Sequence, residues 1–353
     1  MRAIVIHEAG KLTLDEFPQE RCGADQVVLE VATGGVCGSD LHYFNHGGFG
    51  PVRLREPMVL GHEVAGRVVD AGSAVKGINV GDLVAVSPSR PCGECRFCVE
   101  NLQNQCLNMR FYGSAMPFPH IQGAFRQRLV ADASQCVVAN GLSAAEAAMA
   151  EPLSVALHAM RRADGVKGKK VLVTGCGPIG VLCILAAREA GAEEIIATDL
   201  SANALNHAKM AGADLTIDIR SQPDALETYG GEKGTFEALF ECSGSPSALA
   251  GAIPALRPRG VIVQLGLGGD MPVPMMQITA KELELRGSFR FHEEFAQAVE
   301  KMLSGRIDVK PLITHTVEFD DAQKAFEIAN DRDAAMKVQI SFSDSSARER
   351  ITP

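Results

Sequence analysis

Short apolar runs separated by turn residues fill the first part of the chain. Residues 3–6, 12–14 and 27–31 predict strands, with Ala9-Gly10-Lys11 as a hairpin turn between the first two. The same pattern over 63–69 and 82–86, punctuated by Gly72, Gly77 and Gly81, predicts a small, irregular all-β unit. Past residue 143 the period changes. Residues 155–163 repeat as a helix, with Pro152 and Ser154 as helix-start residues, and this stretch marks a crossing between two units. Beyond residue 168, strands alternate with helices: strands at 171–174, 195–199, 215–217, 238–242, 261–265 and 283–288, helices at 181–189, from Ser201, and at 246–256. Such alternation implies a parallel, doubly wound α/β sheet. Amphipathic helices at 293–303 and 321–329 and a strand at 337–342 follow, and the last ten residues are polar and expected to be disordered.

Length and composition narrow this picture in four places. The 353 residues fit two domains and can bury a substantial core. A net charge of −9 argues against nucleic acid or an anionic membrane surface as partner. No apolar run reaches the length of a membrane-spanning helix, and MRAIVIHEAG lacks the long apolar core of a signal peptide, so a cytoplasmic protein is expected. In that setting the ten cysteines point to metal rather than disulfides.

Three motifs carry chemistry. Between a strand and a helix stands Gly175-Cys176-Gly177-Pro178-Ile179-Gly180, the G-x-G-x-x-G of a dinucleotide site, and Asp199 ends the next strand. Gly175 permits the tight turn, Gly177 lets backbone approach a pyrophosphate, and Gly180 allows close packing; the helix start offers free N–H groups to phosphate. Asp199 can accept from ribose hydroxyls, and residues 200–206 hold no Lys or Arg for a 2′-phosphate, which favours NAD over NADP. Ser243-Gly244 and Leu265-Gly266-Leu267-Gly268 lie at later strand ends and are expected to line the nicotinamide half. Cys92, Cys95, Cys98 and Cys106 have spacings that close a tetrahedral zinc with no open position, hence structural; an iron–sulfur cluster is the rival reading. Finally, Cys37-Gly38-Ser39-Asp40-Leu41-His42-Tyr43 and Gly61-His62-Glu63 gather a thiol, imidazoles and carboxylates, the donor mixture of a catalytic zinc. Asp40 is expected to orient His62 by accepting its free N–H.

Taken in this order, the motifs resemble the zinc-dependent medium-chain alcohol dehydrogenase family over nearly the whole chain. Cys37-Gly38-Ser39-Asp40, Met58-Val59-Leu60-Gly61-His62-Glu63 and Ala150-Glu151-Pro152-Leu153 are most similar to its polyol (sorbitol-like) branch, and His46-Gly47-Gly48-Phe49-Gly50 resembles its bacterial L-idonate 5-dehydrogenases. The resemblance implies a GroES-like, mainly-β catalytic domain over 1–150, completed by 288–353, and an NAD-binding Rossmann domain over 151–287. It implies a catalytic zinc on Cys37 and His62, with Glu63 and Glu151 competing for the third position. Hydride would pass from a secondary alcohol to NAD, the hydroxyl proton leaving through Ser39 and then His42. Tyr43, Phe111, Arg290 and Phe291 become substrate-pocket candidates, with Arg290, ahead of Arg53 and Arg110, as the cation for a sugar-acid carboxylate. Sugar acid or polyol, butanediol or threonine are the implied substrates, and a homotetramer or homodimer the implied assembly.

Overall fold

The structure, a computed structural model, describes residues 1–267 and 269–342. Gly268 and residues 343–353, which include the last ten, lie outside them. Two sheets organise the chain. The larger has seven strands, in the order Cys136–Val138, Leu83–Val86, Glu63–Ala71, Gln26–Gly35, Lys337–Ser341, Ile313–Glu318, with Arg128–Asp132 also paired to Gln26–Gly35. The expected hairpin forms from Arg2–Glu8 and Lys11–Glu16, turning at Gly10 with φ +79°.

The second sheet is six-stranded and parallel throughout: Leu215–Asp218, Glu194–Asp199, Lys170–Thr174, Phe236–Glu241, Leu256–Gln264, Glu284–Gly287. Its central strands read as apolar runs because both faces are covered. Val171, Val173, Ile195, Ala197, Phe240 and Val263 pack into the core on one face; Leu172, Ile196, Leu239 and Ile262 pack on the other. The first core runs on to Ala65, Leu83 and Ala85 of the seven-stranded sheet and so bridges the two units, while Leu29, Val64, Val84 and Ile340 of that sheet pack in a core of their own.

Two local expectations are corrected. The crossing helix spans Ala150–Arg162, so it begins before Pro152 and Ser154. Pro152 falls in its first turn, where the missing N–H has no intrahelical partner to lose. Ser154 is buried inside it, its hydroxyl donating to the Ala150 carbonyl. The dinucleotide helix also starts earlier than expected, at Pro178, because the rigid φ of proline suits the first helical position.

Candidate metal and cofactor site

Cys37 is the N-cap of the helix Gly38–His46, with extended φ/ψ of −98°/158°. Asp40 accepts from the Cys37 amide at 3.0 Å and, through its other oxygen, from the Gly61 amide at 3.2 Å. One fully buried carboxylate thus ties together the two segments that carry Cys37 and His62. The expected hydrogen bond from the His62 ring is absent: Asp40 Oδ1 stands 3.8 Å from His62 Nδ1. The carboxylate is occupied by backbone amides instead. At Gly61 φ is +90°, and a Cβ there would enter the Phe125 ring, so only glycine makes the turn that delivers His62.

One ligand atom each from Cys37, His62 and Glu63 lies within 4.8 Å of the others. Glu63 opens the strand Glu63–Ala71 opposite Gly35, where a Cβ would occupy the place of its carboxylate. Glu151, buried in the first turn of the crossing helix, faces the cluster without joining that tight set. Burial, then the negative charges of Glu63 and Asp40, push the Cys37 thiol up to about 12. Burial also lifts Glu151 to about 8, with Glu63 and Cys37 adding and His62 and Lys337 opposing. Burial thus favours the protonated thiol and carboxyl until a divalent cation takes the place of their protons. Mixed sulfur, nitrogen and oxygen donors suit zinc.

On the same helix, Ser39 and His42 are three residues apart and therefore share a face. His42 is half-buried, 5.7 Å from the Phe49 ring, and burial lowers its pKa, with His46 and Arg332 adding. Phe111 links the Cys37–His62–Glu63 cluster to Arg290: its ring centroid is 5.5 Å from that of His62, and the Arg290 guanidinium carbon lies 4.1 Å above it. The other pocket candidates are placed differently. Tyr43 is buried, and its hydroxyl accepts from the Ala115 amide at 3.0 Å. Phe291 turns away into the core beside Phe295. Arg53 donates to the His46 carbonyl at 3.1 Å, at the end of its helix. Arg110 precedes Phe111 in a strand, so it points to the opposite face and lines a side cavity with Arg21, Arg90 and Arg126.

The four loop cysteines converge. Sγ separations are 3.5 Å for Cys92–Cys106, 3.6 Å for Cys95–Cys98 and 4.0 Å for Cys95–Cys106. Thiolates about 2.3 Å from a tetrahedral zinc stand roughly 3.8 Å apart. Backbone N–H groups of Leu107 and Cys98 point at Cys95 and lower its pKa to about 6, favouring the ligand form.

Gly175, at φ +84°, places its Cα against the Ser243 backbone, and a Cβ on Gly180 would strike the Gly175 carbonyl. Gly177 caps the helix Pro178–Glu189, and a Cβ there meets nothing, so the helix start is open on that side. Pro178 and Ile179 form its first turn. Asp199 accepts from the Cys176 amide at 2.6 Å and from the Leu200 and Ser201 amides, so it braces the glycine loop. Ser243 and Leu267 are exposed and Leu265 and Gly266 half-buried at the carboxyl ends of their strands.

Residues 23–141 match the alcohol dehydrogenase GroES-like domain, and residues 178–304 match the zinc-binding dehydrogenase model. The chain is 43% identical over 317 residues to L-idonate 5-dehydrogenase (NAD(P)(+)) of Escherichia coli strain K12, covering 89% of this chain and 91% of that one. The chain belongs to the zinc-dependent medium-chain alcohol dehydrogenase family. Human sorbitol dehydrogenase is 36% identical over 330 residues, covering 92% and 91%. The crystal structure of Escherichia coli L-idonate 5-dehydrogenase superposes with a TM-score of 0.92 at 39% identity, covering 96% of this chain and 97% of that one. As a member of this family the enzyme uses zinc and a nicotinamide cofactor.

In this dehydrogenase, spacing along the chain left out Lys337. Its ammonium ion-pairs with Glu63 and donates to the Val36 carbonyl at 3.0 Å, with the side chain only 2% exposed. The run Met336 to Phe342 alternates polar with apolar residues, which resembles a strand with one face in water. Instead Lys337, Gln339 and Ser341 are all buried. A lone cation in that strand was the one available signal.

Proposed function

We propose that this enzyme oxidises the C5 hydroxyl of L-idonate to 5-keto-D-gluconate, with NAD favoured over NADP. The observation that carries the substrate class is Arg290. Its guanidinium lies over Phe111, and among the described residues no carboxylate forms an ion pair with it. Burial lowers its pKa to about 10, against the raising effect of Glu151 and Tyr43. A half-dry, unpaired arginine beside the metal cluster suits the carboxylate of a sugar acid, which it can bind with two parallel hydrogen bonds. Similarity to L-idonate 5-dehydrogenase supports the same reading.

Cys37, His62 and Glu63 hold the catalytic zinc, and Cys92, Cys95, Cys98 and Cys106 the second, structural one. When bound, these cofactors supply a Lewis acid at the substrate oxygen and a hydride acceptor at the nicotinamide. Ser39 takes the hydroxyl proton and His42 passes it to solvent; Glu151, pushed towards neutrality by burial, is the second proton-holding group at the metal. Gly175, Gly177, Pro178, Ile179 and Gly180 receive the pyrophosphate, Asp199 the adenosine ribose, and Ser243, Leu265, Gly266 and Leu267 the nicotinamide half. Units 1–150 with 288–353 and 151–287 serve as catalytic and cofactor domains, a division supported by Lys337–Ser341 pairing with Gln26–Gly35. A cytoplasmic homotetramer or homodimer completes the reading on family likeness alone.

Similarity to sorbitol dehydrogenase favours a second reading, oxidation of sorbitol or xylitol; butanediol and threonine are further secondary alcohols to compare. The test is NAD reduction with L-idonate, gluconate, sorbitol, xylitol, butanediol and threonine, alongside metal analysis. Highest kcat/KM with L-idonate and two zinc ions per chain are expected. Equal or better turnover of sorbitol would replace the sugar acid by a polyol.

A further inference from the structure

At the carboxyl end of the strand Phe236–Glu241 lies a fully buried acid outside the mechanism above. Glu241 is surrounded by donors. Its Oε1 accepts from the Ser243 amide at 2.9 Å, from the Ser243 hydroxyl and from Thr174 Oγ1 at 3.4 Å. Its Oε2 accepts from the Gly244 amide at 3.0 Å and from Gln264 Nε2 at 2.5 Å. The Glu241 carbonyl accepts from the amides of Leu265 and Gly266, both at 2.9 Å. No ion pair reaches it among the described residues. Thr174, Glu241 and Gln264 are register partners across three adjacent strands, so one carboxyl group joins three strand ends.

The segments it joins are those at the switch point of the sheet. Strand Lys170–Thr174 carries the glycine loop, and Asp199 ends the neighbour on one side. The adenosine half of a dinucleotide therefore lies on the Asp199 side, and the nicotinamide half on the Glu241 side. Space there is tight: a Cβ at Gly175 would strike Ser243, and one at Gly266 would strike Gly244 and Glu241. Loops packed this closely with a single acceptor between them have little freedom to rearrange around another bonding pattern.

We propose that Glu241 is the positioning residue of the nicotinamide end of the cofactor site, holding loops 243–244 and 264–266 in the arrangement that receives it. This rests on the nicotinamide-cofactor reading of the site. Glutamine is isosteric but turns one acceptor into a donor facing donors, which forces the loops apart. In zinc-loaded protein, Glu241→Gln is expected to weaken NADH at least tenfold by fluorescence titration. ADP-ribose, which lacks the nicotinamide, should bind within about twofold of wild type, and the KM for NAD should rise while that for the alcohol holds. Should Glu241→Gln not fold, Gln264→Leu, which removes one donor and leaves the acid, decides by the same comparison with a smaller NADH loss. Equal loss of both ligands, or loss of neither, overturns the proposal. Wild-type protein that binds ADP-ribose but not NADH would overturn the cofactor reading itself.

Discussion

Replacing Lys337 by methionine keeps the length of the side chain and removes its charge. The ammonium is buried against Glu63, itself buried, and also satisfies the Val36 carbonyl. Two unit charges about 4 Å apart attract by roughly 4 kcal/mol at an effective dielectric near 20. Removing one partner of a buried pair costs about 3–5 kcal/mol, because the other charge stays behind without compensation. At roughly 2–4 °C per kcal/mol, the metal-stripped variant should melt on the order of 10 °C below metal-stripped wild type. With zinc restored, the positive charge beside Glu63 returns and the gap should narrow to a few degrees. The assay is thermal unfolding of both proteins, with chelator and with zinc. Adding Glu63→Gln to the stripped variant should recover most of the loss, since the stranded charge is then gone. Equal destabilisation with and without zinc, or none in the stripped form, would refute the coupling between Lys337, Glu63 and the metal.

Arg290→Ala should raise the KM for L-idonate about ten- to hundredfold, the range of one charge-assisted hydrogen bond of roughly 1.5–3 kcal/mol, and leave sorbitol kinetics nearly unchanged; a parallel loss with sorbitol would remove Arg290 from carboxylate recognition. For Asp199→Ala, titration with both cofactors should show NAD weakened more than NADP, with some loss of each because the Cys176 amide also loses its acceptor; equal losses would leave Asp199 as a loop brace only. Acid stability has a defined sign at Glu294. Burial raises its pKa, but the hydrogen bonds with His158 Nδ1 and the His292 amide outweigh it and hold the group at about 2, against 4.5 for a free glutamate. Its contribution is complete above about pH 4.5 and is lost as pH falls towards 2, so Glu294→Gln should flatten the fall in denaturation midpoint across that window. An unchanged acid limb would show that the pairs of Glu294 with His158 and Arg161 do not bear on stability.

Local chemistry was legible along the chain. Four cysteines at short spacings can meet without help from the fold, and a glycine fingerprint between a strand and a helix defines its own turn. The alternation of strands with helices beyond residue 168 specified a parallel sheet because parallel neighbours need a crossover connection, usually a helix. Proximity between distant segments was not legible. Lys337 reaches Glu63 only because the strand Lys337–Ser341 pairs with Gln26–Gly35, which also pairs with Glu63–Ala71. Its period-two pattern predicts a solvent face, and the sheet's position buries that face, Lys337 against Glu63 and Gln339 against the Ala145 carbonyl. Asp40 was expected at His62 but is taken up by two amides that the fold brings within reach. Phe291 and Arg290 are neighbours in sequence, yet one enters the core and the other stands over Phe111. The sequence alone determined which donors exist and which local turns present them. The tertiary structure decided which of them share one buried volume, because burial and electrostatic pairing depend on distance in space, and pairing of distant strands sets that distance.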